Sequence, residues 1–130
     1  MPYFQRMKET KEQAKDQITW IEIPVEDFDR GVHFYEEVFQ VSLQKMDLGG
    51  LNMATFPDRR VALCHYAQFY HPGEQGAIVY FAAHHDVVAM QERVVATGGE
   101  VLIPWRMISP EQGSMALFKD SEGNRIGVRG

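Results

Sequence analysis

One stretch of this chain is written twice. Met53-Ala54-Thr55-Phe56-Pro57-Asp58 in the first half answers Met115-Ala116-Leu117-Phe118-Lys119-Asp120 in the second. Each copy leads into a short apolar run, Val61-Ala62-Leu63 and Ile126-Gly127-Val128. Each half also opens with an apolar strand, Ile18 to Val25 and Ala77 to Ala83, before a segment of helical spacing. A repeated unit constrains the fold strongly, because two copies can pair their sheets and enclose one site between them.

The elements follow from local pattern. Ile18, Trp20, Glu22 and Pro24 alternate with Thr19, Ile21 and Ile23, the period of a strand, and Pro24 ends the ladder or takes an edge. Asp27 is placed to cap a helix whose apolar stripe is Phe28, Val32, Tyr35, Val38 and Phe39. Gly49-Gly50 precedes a strand from Leu51 to Phe56, and Pro57-Asp58 turns into another from Val61 to Tyr66. In the second half Asp86 caps a helix to Thr97, with Val87, Met90, Val94 and Val95 as its stripe. Gly98-Gly99 stops it. Strands are expected near 100–103, 114–119 and 125–129, the last two joined by the turn Ser121-Glu122-Gly123-Asn124. Each half reads βαβββ, so the fold class is α+β with curved, mainly antiparallel sheets.

The expected organisation is a polar arm over 1–16 and one domain over 17–130. Its modules cover 17–67 and 77–130, joined by a linker at 68–76. A chain of 130 residues with 45% hydrophobic and 24% charged residues supports a full core. The net charge of −5 argues against a nucleic-acid partner, which needs a basic face. A single cysteine, Cys64, excludes an internal disulfide. No apolar run suits a membrane span or a signal core, and a cytoplasmic location is expected.

The segments Ile23-Pro24-Val25-x-Asp27-x-x-Arg30-x-x-x-Phe34-Tyr35, Gly98-Gly99 and Ala116-Leu117-Phe118-x-Asp120-x-x-Gly123-Asn124-x-Ile126 resemble the vicinal oxygen chelate superfamily. That group holds glyoxalase I, the bleomycin resistance proteins and the extradiol dioxygenases. The resemblance covers residues 18–130. It implies two paired βαβββ modules around a cup, and commonly a homodimer.

It also implies, in the metal-dependent members, one ligand from the first strand and one from the last strand of each module. Those ligands are His, Gln or Glu. The matching positions here are Trp20 and Ala77, then Ala62 and Gly127, none of which can bind such a cation. No metal ligand and no cofactor are therefore expected; a divalent metal at a non-standard site is the alternative. His65, His71, His84 and His85, with Asp86, are its candidates beside Glu22, and their spacing matches no known ligand set.

Strand parity places Trp20, Glu22, Arg60, Cys64, Val79 and Phe81 along the cup, with Arg125 and Arg129 near the last strand. Glu22, in an otherwise apolar stretch, is the candidate catalytic residue, its pKa raised for proton transfer unless a cation is near. The plainer reading pairs it with Arg60, Arg125 or Arg129 to hold two sheets together. Trp20 either stacks on a flat ligand or fills the space of the missing metal. Cys64 is expected to be a buried, inert thiol. Trp105, in a 104–112 loop with Met107, is placed to close over a ligand. The expected ligand-binding set is thus Trp20, Glu22, Arg60, Cys64, Phe81 and Trp105.

Three functions fit. The first is a metal-free binder of a small organic molecule, in the manner of the bleomycin resistance branch. The second is a metal-dependent lyase, isomerase or dioxygenase with a non-standard site, using Glu22 as base. The third is a dimeric accessory module with a vestigial cup.

Overall fold

The computed structural model describes residues 17–84 and 86–130; the expected arm over 1–16 and His85 lie outside the described residues. In chain order the elements are β1 (Ile21–Pro24), α1 (Phe28–Phe39), β2 (Gln44–Asp47), β3 (Asn52–Thr55), β4 (Val61–His65) and β5 (Val79–Ala82). They continue with α2 (Val87–Ala96), β6 (Glu100–Ser109), β7 (Gly113–Lys119) and β8 (Arg125–Arg129). Two four-stranded sheets result, ordered β1-β4-β3-β2 and β5-β8-β7-β6. In each sheet the first strand lies parallel to the last, and the other pairs are antiparallel. The two βαβββ modules thus share one topology.

Both caps form as the sequence requires. Asp27 Oδ1 accepts the Arg30 N–H at 3.0 Å, and Asp86 Oδ1 accepts the Val88 N–H at 2.9 Å. α1 is buried over a wider arc than its stripe implies, since Gly31 and Phe34 are also inside. The reason is that α1 packs on the second module as well as on its own sheet. The Phe34 ring reaches Gly99, and the Arg93 guanidinium of α2 donates to the Val38 carbonyl at 3.0 Å. That cation supplies the positive charge that the last turn of α1 lacks.

Phe81 of β5 packs on Phe39 of α1 and Phe56 of the first module, with centroids 4.5 and 5.3 Å apart. Tyr35 stacks on Phe39 and meets Phe56 edge-on. Such pairs contribute about 0.5–1.5 kcal/mol each beyond burial. One core therefore spans both modules.

A second tie is polar. In the turn between β7 and β8, Asp120 is 2% exposed and accepts from the Tyr35 hydroxyl at 2.5 Å and from two N–H groups of its own turn. Glu122 accepts the N–H groups of Glu26 and Asp27 at 3.0 and 2.7 Å and a bidentate pair from Arg30. Burial raises the Glu122 carboxyl, but the hydrogen bonds of Arg30, Asp27 and Ser121 outweigh it and hold the group below the usual range. For Asp120 burial wins, and its pKa is raised. Asn124 bridges the Pro24 carbonyl and the Gly73 N–H, which pins the 68–76 segment back onto β1.

One expectation about the elements needs correction, and one strand carried no signal. The 104–112 segment is not a loop: β6 runs through Pro104 and Trp105 to Ser109 and forms a long hairpin with β7. Pro104 is tolerated there because β6 is an edge strand, and register shifts interrupt its ladder. In the first module β2, with sequence Gln-Lys-Met-Asp, has no periodic signal of its own because every residue is exposed.

Candidate functional site

Each sheet turns one face to the shared core and leaves the other open. On β1, Ile23 is buried in the core while Glu22, opposite Ala62, points the other way. On β5 the core face carries Val79 and Phe81, and Tyr80, opposite Gly127, is on the open face. The expected grouping of Phe81 with Trp20 and Glu22 is therefore corrected: they stand on opposite faces. The slip has a plain cause. Residues 77–83 are apolar on both sides, so alternation gives no parity. The same one-residue shift makes Ile78, not Ala77, the counterpart of Trp20.

Around Glu22 the open face is organised. Glu22 is exposed, not buried, because it projects from an edge strand. One carboxylate oxygen accepts from Trp20 Nε1 at 3.1 Å and the other from the Tyr70 hydroxyl at 2.8 Å. The hydrogen bond to Glu22 raises the Tyr70 phenol to about 12. Cys64 lies beside this pair and is fully buried; burial, then the Glu22 charge, pushes its thiol up to about 12. A thiol so protonated is no nucleophile at neutral pH. Tyr70 went unnoticed in the sequence because it sits in an aperiodic linker. Only the Pro72-Gly73 turn beside it hinted at a fixed conformation.

Two cavities open along the seam where β1 and β5 approach. One, of about 380 Å³, is lined by Glu22, His71, Arg125, Asn124, Ile21 and Val79. Arg125 reaches the Gly76 carbonyl at 3.4 Å, and its buried Nε has no hydrogen-bond partner among the described residues. The other, of about 510 Å³, has Phe81 in its wall and Arg60 at its rim. Trp105 lines neither: it packs against the core, its N–H bonded to Gln91 Oε1 at 2.7 Å. Arg129 is engaged by Gln112. The six expected residues thus divide into Trp20, Glu22 and Cys64 on the open face, Arg60 and Phe81 at the larger cavity, and Trp105 apart.

The family model described as the Glyoxalase/Bleomycin resistance protein/Dioxygenase superfamily matches residues 17–128. The chain belongs to that superfamily. A glyoxalase-related enzyme from Fulvimarina pelagi is similar at TM-score 0.68 and 18% identity, over 88% of each chain. A glyoxylase/bleomycin resistance protein/dioxygenase domain from Frankia sp. EAN1pec matches at TM-score 0.68 and 14% identity, over 88% of this chain and 97% of that one. A family enzyme from Burkholderia phytofirmans PsJN matches at TM-score 0.65 and 14% identity, covering 85% and 95%. At such identities these likenesses show the fold alone. No curated protein is significantly similar to the chain.

A divalent metal at the superfamily's strand positions does not fit these residues. The residues at those positions, Trp20, Ile78, Ala62 and Gly127, carry no side-chain donor that binds such a cation. Space is closed as well: a Cβ at residue 127 would collide with the Tyr80 ring and lie 2.8 Å from the Ala116 carbonyl oxygen. Among the described residues no group of three or more His, Cys, Asp or Glu side chains could hold a metal ion. His65 Nδ1 faces the Val25 carbonyl at 3.0 Å, while His71 and His84 line different cavities.

Proposed function

We propose that this superfamily member binds a small organic molecule without a metal, in the seam cavity lined by Glu22, His71 and Arg125. The observation that carries the reading is that an acid, an imidazole and a guanidinium line one cavity of about 380 Å³ between the two modules. Ligand pockets of this size combine apolar walls with a few placed polar groups, and Ile21, Ile23 and Val79 supply those walls. Trp20 and Tyr70 fix the Glu22 carboxylate from two sides, so it meets a ligand donor without reorganising. Arg125 gains an acceptor from a ligand carboxylate or carbonyl. The homodimer is part of the same reading, because Trp20, Met46 and Tyr80 leave about two-fifths of their surface uncovered on the open faces.

The test begins with elemental analysis of untagged protein, before and after chelation and reloading with divalent metals. Background metal throughout supports the reading; stoichiometric metal that returns on reloading overturns it in favour of a metal-dependent enzyme. Fragment hits from ligand-observed NMR are then compared with Glu22→Gln. A loss of about tenfold in affinity, or ~1.4 kcal/mol, is expected from removing a charge-assisted hydrogen bond. Equal binding by the variant would remove Glu22 from the site.

A further inference from the structure

We infer that the larger seam cavity is a second binding site, built for a neutral aromatic small molecule. Its volume of about 510 Å³ falls within the range of ligand pockets. The walls are apolar and come from both modules: Phe39, Phe56 and Val61 from one, Phe81 and Met90 from the other. Phe39, Phe56, Val61 and Met90 are all below 9% exposed, so these walls are held by the core and do not collapse as a loose surface groove would.

The Phe81 ring tilts by 37° to Phe39 and by 31° to Phe56, and these rings favour an offset-stacked or edge-on aromatic partner. The charged or titratable side chains of its lining, Asp58, Arg60 and His84, are all exposed, while the buried part of the wall is apolar. A charged body inside would lose its hydration without a partner, which selects a neutral guest with at most one polar end toward the rim. The site is independent of the Glu22 cavity, sharing with it only Ile21 and Val79.

The experiment is a fluorescence titration of the full chain with N-phenylnaphthylamine, a neutral aromatic probe that brightens in apolar surroundings. Saturable binding of one probe per chain is expected. Val41→Phe, which fills this cavity and does not line the other, should weaken it at least tenfold while any binding at the Glu22 cavity persists. Methyl NMR keeps the proposal testable if that variant folds poorly: the probe should shift Val61 and Met90. No saturable binding, undiminished binding by a folded Val41→Phe, or shifts confined to Met46 and Leu117 on the open faces would overturn it.

Discussion

The repeated motif ends in the same residue, yet the two aspartates have opposite fates. Asp58 is exposed and accepts the Arg60 N–H at 3.0 Å within its own turn. Asp120 is buried and gathers Tyr35, Asn124 and two turn amides. The difference lies in length. Gly127 lies seven positions after Asp120 where Ala62 lies four after Asp58, and the longer turn contains Glu122 and Asn124. The extra residues make the longer turn the tie between modules. The short turn was left at the rim of the larger cavity, where Pro57, Asp58 and Arg60 stand. A duplicated fold gains a rigid end and an open end by a change in a single loop.

The sharpest way to break this comparison is to remove both carboxylates in turn. Asp120→Ala strands the Tyr35 hydroxyl and several turn donors in a buried site, and should cost about 3 kcal/mol in urea unfolding. Asp58→Ala should cost about 0.5–1 kcal/mol, the net value of one exposed hydrogen bond. Equal costs would mean that the longer turn is no tie at all.

A smaller effect follows from Glu122. Its folded pKa is depressed, so its stabilisation is present above the ordinary carboxylate value and is lost as pH falls through the folded one. Asp120 has the opposite sign, its pKa being raised by burial. The difference between the native chain and Glu122→Gln isolates the first group. The stability gap should be widest at neutral pH and shrink on acidification below about 4.5; a gap that does not depend on pH would show that the charge of Glu122 does not matter.

The smallest effect concerns the open face. Tyr70 should titrate near 12, its stabilising bond to Glu22 intact below the ordinary phenol value and lost as pH rises to that point. Tyrosinate absorbance of the native chain minus that of Tyr70→Phe reads this group alone. Glu22→Gln should bring the midpoint back toward about 10. If the midpoint stays put, burial and not Glu22 holds the phenol.

What the sequence revealed depended on contrast between faces. Asp27 and Asp86 stand before clear helical stripes, and both cap as expected. The repeat gave the module topology because its two copies mark equivalent strands. Where both faces are apolar, as over 77–83, alternation carries no parity, and only the strand register places Phe81 on the core face. Where both are polar, as in β2, the strand was silent. Tyr70 and His71 belong to a connection whose course is set by Asn124, far away in sequence, so no local pattern could place them. The 104–112 segment reads as a loop because only the sheet order reveals β6 as an edge, where Pro104 is tolerated.

The ring of Tyr80 lying across Gly127 sets a condition on anyone who would redesign this protein. Installing a histidine or glutamate at residue 127 alone would force the ring out of its seat and strain the sheet. Trimming Tyr80 alone would leave a bare patch beside a glycine. A side chain at 127 thus needs the Tyr80 ring trimmed or moved first, so the order of changes matters to any metal centre built here.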